Sequence, residues 1–211
     1  MSKALKEGLE IRVTPMGRFM YVCDLDEKID DGLFIPEDYT KDYLIEAVTG
    51  EDNKTVAEMI VTVFDEEMID SCREDIVEIA DDMDGDVYEN IGLLTTTEEY
   101  EIIPDDFCLI ESWVGYIRRC YVYPEFRNKG VATYLLENLA LILKRGDSIN
   151  LRCVSIYPRP QNMETGEYTD NPEMLNLMKH TFIKAGFKNV RDSLTYVKAY
   201  PFPALWLPSY Y

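Results

Sequence analysis

Residues 127–133, Arg-Asn-Lys-Gly-Val-Ala-Thr, carry the densest set of chemically suggestive groups in the 211-residue chain. Gly130 and Ala132 keep bulk away from the backbone, and Arg127 and Lys129 stand beside them. A helix that opens at Val131 leaves its first N–H groups without intrahelical partners and places the positive end of its dipole there. Such an end binds anions, phosphate and pyrophosphate above all, and the two cations reinforce it. The spacing matches neither the dinucleotide fingerprint, which needs a third glycine, nor the nucleotide P-loop, which needs Gly-Lys followed by Ser or Thr.

Other chemistries find less support. His180 is the only histidine, which excludes a multi-histidine metal site and leaves a Cys–His nucleophile pair without further evidence. Cys23, Cys72, Cys108, Cys120 and Cys153 are odd in number, widely spaced and free of Cys-x-x-Cys, so they read as reduced thiols. Residues 82–86, Asp-Met-Asp-Gly-Asp, suggest a calcium loop, but the glycine falls at the fourth position rather than the sixth, and Leu93 occupies the twelfth. No metal is expected.

The elements that must position the anion cradle are legible on either side of it. Residues 113–123 are rich in β-branched and aromatic side chains, and Pro124, which lacks a backbone donor, stops the strand they form. Beyond it Val131, Leu135, Leu136, Leu139, Ile142 and Leu143 recur at helical spacing, Lys144 and Arg145 suit the negative end of the dipole, and Gly146 is the expected C-cap. Residues 148–157 alternate as a further strand. Asn171-Pro172-Glu173 predicts a helix start, whose face of Met174, Leu177, Met178, Thr181, Phe182 and Ala185 runs to Gly186. Residues 187–190 and 194–200 are expected to close the sheet.

Upstream, residues 9–13 predict a first strand ended by a turn at 14–17, and residues 19–23 a second extended piece before an acidic connection over 24–38. Residues 39–48 are expected to form a short helix. Residues 56–64 read as a strand without a breaker, 65–82 as one amphipathic helix with an acidic outer face, and 87–94 as another helix. The tail at 201–211 is too rich in proline for regular structure and too apolar to hang free. It is expected to pack on the body or on a second subunit, which makes a homodimer a candidate arrangement.

Charge divides the chain. Residues 1–110 hold 8 Lys and Arg against 31 Asp and Glu, a net of −23, whereas residues 111–211 hold 13 against 9, a net of +4. The acidic half repels nucleic acid and anionic membranes and attracts cations, while the half with the cradle suits a phosphorylated ligand. The acid also fits a merely solvating face. No run of 18 apolar residues exists and the first residues are too charged for a secretory signal, so a soluble cytoplasmic protein is expected.

Arg-x-x-Gly-x-Ala after a Val-x-Pro strand end and before a Leu-Leu helix resembles the pyrophosphate-binding motif of the GNAT superfamily of N-acetyltransferases. Ala185-Gly186-Phe187 adds a second point of resemblance, because that family commonly closes its last helix with Gly-Phe. The likeness covers residues 113–199 and is loose before them. It implies an α/β (α+β) fold: a mixed central sheet flanked by helices, in one domain over 1–211, with an acidic helical elaboration in 1–110, an acetyl-CoA-binding core in 111–200 and the tail.

The resemblance also implies the ligand, acetyl-CoA. The backbone from Arg127 through Asn128, Lys129, Gly130 and Val131 to Ala132 would hold its pyrophosphate, with a hydroxyl from Thr133. The strand at Cys120, Tyr121, Val122 and Tyr123 would pair with its pantetheine arm. The implied reaction is acetyl transfer to a primary amine, on a cationic small molecule or a basic protein. An acidic protein that keeps the fold and masks a basic partner surface is the alternative. Four residues before the closing glycine the family commonly has a Tyr that protonates the leaving thiolate, and here Phe182 stands there. His180 lies roughly 200° around the helix from it. Tyr196 is the substitute acid, and Glu111 and Tyr116 are the candidates on the base side.

Overall fold

The computed structural model describes residues 8–16, 39–50, 52–73, 75–83, 85–95, 113–160, 169, 171–190 and 195–200. Glu111, the extended piece at 19–23, the connection at 24–38 and the tail lie outside them. Seven strands form one sheet: β1 (Leu9–Met16), β2 (Thr40–Thr49), β3 (Thr55–Asp65), β4 (Trp113–Val122), β5 (Leu151–Ile156), β6 (Lys188–Asn189) and β7 (Tyr196–Ala199), in the order β1-β2-β3-β4-β5-β7-β6. Only β4 and β5 run parallel; every other neighbouring pair is antiparallel. The helices are α1 (Glu66–Cys72), α2 (Ile76–Met83), α3 (Gly85–Thr95), α4 (Val131–Asp147) and α5 (Pro172–Lys184).

Two layers of helices enclose the sheet. On one face Leu135, Leu136, Leu139 and Leu143 of α4, with Phe182 of α5, pack on Ile45, Met59, Val61, Ile117, Val154 and Ile156. Each buried leucine contributes roughly 1.5–3 kcal/mol gross. On the other face Ile69, Ile79, Val87 and Ile91 of α1–α3 pack on Phe64, Val114, Cys153 and Val197. A buried polar link fixes α3: Thr195 Oγ1 donates to Asn90 Oδ1 at 2.9 Å, and Asn90 Nδ2 donates to the Asp86 carbonyl at 2.6 Å.

Four local expectations are corrected. Residues 39–48 are not a helix but β2, in which Tyr43, Ile45 and Ala47 are buried and alternate with Asp42, Leu44 and Glu46. Pairing on both sides, with β1 and with β3, settles that period. β1 continues through Pro15 to Met16 instead of turning at 14; among the described residues it is an edge strand that pairs with β2, so a missing donor costs little there. The single helix expected over 65–82 is two, because Arg73 adopts a left-handed conformation (φ 62°) that caps α1. Gly146 does not end α4, which runs on to a left-handed Ser148. The glycine is required by packing instead, since a Cβ there would stand 2.7 Å from Val13 Cβ. At α5 the expected cap is present: Asn171 Oδ1 accepts from the N–H groups of Glu173 and Met174 at 3.0 and 3.2 Å.

Candidate active site

β4 and β5 are paired only as far as Ile117 and Ile156, yet β4 continues to Val122 along β3. Past that point the two parallel strands part, and the β5-facing edge of β4 has no strand partner among the described residues. A bulge makes the parting usable. Ile117 lies opposite Val61 and Arg119 opposite Ile60, which leaves Arg118 as the extra residue. The insertion reverses the alternation, so Cys120 and Val122 join the core beneath α4 while Arg119 reaches Glu58 with a 2.8 Å ion pair. Tyr123 donates to the same carboxylate at 2.7 Å, a bond that pushes its own pKa up.

Between the parted strands lies a cavity of about 450 Å³. One wall is β4 from Tyr116 to Val122; the opposite wall is Ile156, Tyr157, Arg159 and Pro160 at the end of β5, and α5 closes a third side. Its floor is the turn from β4 into α4, through Arg127, Asn128, Gly130, Val131, Ala132 and Thr133. Gly130 at φ 78° is the N-cap of α4, no side chain caps the helix, and its first turn carries no acidic residue. The opening N–H groups therefore face the cavity without a carboxylate to compete for them. Arg127 is held beside them, donating from Nε to the Val122 carbonyl at 3.0 Å and lying over the Tyr121 ring.

The expected residues divide as follows. Every residue assigned to acetyl-CoA lines the cavity except Lys129 and Tyr123. Lys129 is instead drawn over the Phe126 ring at 5.2 Å, and Tyr123 turns toward Glu58. Tyr116 lines the cavity from the face covered by α3. Tyr196 does not: it is a core ring, 5.6 Å from Phe182, and burial raises its pKa. The structure therefore does not bring it to the cavity with the other expected residues. Phe182 lines the cavity as a buried wall, and His180 reaches it from an exposed position on α5. Cys120 also lines it, but burial pushes its thiol up to about 12, so it stays protonated and is a poor nucleophile.

Sequence reasoning missed Asp86, Tyr157 and Arg159, which share the α3 side of the cavity. Asp86 belongs to an acidic turn that fails as a metal loop, and Arg159 lies between two prolines. Only the packing of α3 across β4 and β5 brings them together. Among the described residues no group of three or more His, Cys, Asp or Glu is placed to hold a metal ion, and no helix is long and apolar enough to cross a membrane.

The sequence model of the acetyltransferase (GNAT) family matches residues 48–164, a span that includes the bulged strand, the cradle and the wedge between β4 and β5. A crystal structure of Arabidopsis thaliana NAA60 in complex with acetyl-CoA is similar at 14% identity, with 90% of this chain and 99% of that one covered and a TM-score of 0.41. The structure of Drosophila melanogaster polyamine N-acetyltransferase is similar at 13% identity, with 74% of each chain covered and a TM-score of 0.32. No curated protein sequence matches the chain. The family match extends over more than half of the residues and takes in β4, the cradle, α4 and β5: the chain belongs to the GNAT acetyltransferase family.

Proposed function

We propose that the protein transfers the acetyl group of acetyl-CoA to a primary amine. The observation that carries this reading is the cavity that opens where β4 leaves β5 and ends on the bare N-terminus of α4. Its charge fits a phosphorylated donor, since Arg118, Arg119, Arg127 and Lys184 line it. The apolar stretch formed by Ile117, Val122, Leu136, Ile156 and Phe182 suits an uncharged arm between the phosphates and the reacting end.

Bound acetyl-CoA supplies an activated acyl carbon and a thiolate leaving group. The rest falls to the chain. The N–H groups of α4 would hold the phosphates, and the edge of β4 past Ile117, which β5 no longer pairs, would offer backbone groups to the arm and to the carbonyl oxygen. Attack by the amine nitrogen forms the C–N bond as the C–S bond breaks; the nitrogen then loses a proton to solvent or a base, and the sulfur gains one. Phe182 cannot give that proton. Tyr116, which lines the cavity, is the side chain we assign to proton transfer. A good leaving group makes positioning the larger part of the task.

Thermal unfolding with and without acetyl-CoA tests the reading. Ligand at about 100 times its Kd should stabilise the fold by about 2.7 kcal/mol, or roughly 5–10 °C. Gly130→Asp should abolish the shift, because it puts a side chain on a φ of 78° and a negative charge in the cradle. No shift in the parent protein at millimolar acetyl-CoA would remove the proposal.

A further inference from the structure

Residues from both faces of the sheet line the cavity, and the two sets differ. At the α4 end the walls are the bare helix N-terminus and Arg127; at the other end, on the face packed by α1–α3, they are Tyr116, Tyr157, Arg159 and Asp86. Among the described residues Asp86 is the one carboxylate that lines the cavity, against Arg118, Arg119, Arg127, Arg159 and Lys184. A donor that carries phosphates gains from the cations and is repelled by Asp86. The carboxylate therefore suits the other substrate.

Its setting fits a site that exchanges partners. Asp86 pairs with Arg159, and the two side chains remain 44% and 42% exposed, a condition under which an ion pair adds little to stability and yields readily to a competing cation. Arg159 also lies over the Tyr157 ring at 5.5 Å, a second contact that keeps it in place if Asp86 turns to a ligand. Asp86 itself cannot drift. Its carbonyl accepts from Asn90, which Thr195 holds in turn, and Val87 beside it is fully buried. On the same helical layer, Asp81 and Asp82 of α2 and Glu89 of α3 are exposed and add negative charge.

We infer that this end of the cavity admits the acceptor and that the acceptor carries a second cationic group beyond its reacting amine. The amine passes between Tyr116 and Tyr157 toward the open edge of β4, and the distal cation takes Asp86 from Arg159. The inference rests on the acetyl-transfer reading and adds the substrate class: diamines and longer polycations, in preference to neutral or anionic amines of the same length.

Three five-carbon amines with the same reacting group provide the test: 1,5-diaminopentane, pentylamine and 5-aminopentanoate, whose far ends are cationic, neutral and anionic. Binding of each to the full chain saturated with CoA is measured by calorimetry, and acetyl transfer by thiol release. Expected is an affinity for 1,5-diaminopentane at least about tenfold above that for pentylamine, with 5-aminopentanoate weakest. Asp86→Asn, which keeps shape and backbone, should bring the first two within about threefold of each other by raising KM rather than lowering kcat. Arg159→Gln should widen the gap by removing the competing cation. Equal binding of the first two amines by the parent, or an unchanged ratio in Asp86→Asn, overturns the inference. So does preference for 5-aminopentanoate, which would give Arg159 the recognising role. Stabilisation by acetyl-CoA is read on the same samples: if it persists while charge selectivity is absent, only this inference falls, and if the parent shows none, the acetyl-transfer reading falls with it.

Discussion

Phe182 and Tyr196 show what a change of one atom means in two settings. Phe182 forms a wall of the cavity with no hydroxyl to offer, whereas Tyr196 keeps a hydroxyl but packs in the core against that same ring. Tyr116 lines the cavity from the face covered by α3 and is the proposed group for proton transfer. Tyr116→Phe is expected to lower kcat by about 10²–10⁴, the range of a committed acid or base, with the acetyl-CoA thermal shift retained. Tyr196→Phe should stay within about threefold of the parent, since it leaves the packing ring in place. The reverse order in steady-state rates would move the acid to the core side. His180→Ala, at an exposed rim, is expected to cost less than about tenfold.

At the scale of elements, α4 has two functions that meet in one helix. Its first turn presents N–H groups to the cavity, and its last turn is pressed against β1, where Gly146 leaves 2.7 Å between a hypothetical Cβ and Val13. Replacing a helical glycine with alanine ordinarily adds about 1 kcal/mol of stability. Here overpacking should outweigh that gain, and Gly146→Ala is expected to lose about 1–3 kcal/mol in denaturant unfolding. Val13→Ala added to it should recover part of the loss by making room. A stabilised single variant would show that β1 yields easily and that α4 is not held from that side. The helix itself was legible in the sequence from its leucine spacing and its Leu-Leu start; the reason for the glycine near its end was not, because Val13 is distant in the chain and meets it only after β1 has joined the sheet.

At the scale of the whole molecule, α1–α3 come from the half of the sequence with a net of −23, and the cavity walls other than Asp86, with the cradle, come from the half with +4. An acidic helical layer beside the cavity can raise association rates for cations by about 10–10³, and ions at physiological strength screen such fields within about 8 Å. The value of kcat/KM for a cationic amine should thus fall steeply between low and moderate salt while that of a neutral amine stays nearly flat. Neutralising four or five carboxylates on α1 and α2 should raise KM for the cation and leave acetyl-CoA affinity unchanged. Flat salt profiles for both amines would leave the acid as a solvated face.

Short-range pattern determined much of this protein. The strand before Pro124, the cradle with its glycine in a left-handed turn, the helix after it, and the Asn-Pro cap of α5 each follow from interactions within a few residues, so the residues themselves specify them. What only the tertiary structure decided is what depends on partners. Residues 39–48 have enough polar and branched side chains for either period, and become β2 because β1 and β3 pair with both of its edges. The bulge at Arg118 turns Cys120 and Val122 inward, a register that β3 sets and alternation along β4 alone does not reveal. Asp86 joins Tyr157 and Arg159 across 70 residues because α3 packs over the parted strands, a contact made by the buried faces of Val87 and Ile91. Local physics specified the cradle side of the cavity, and long-range packing assembled the α3 side.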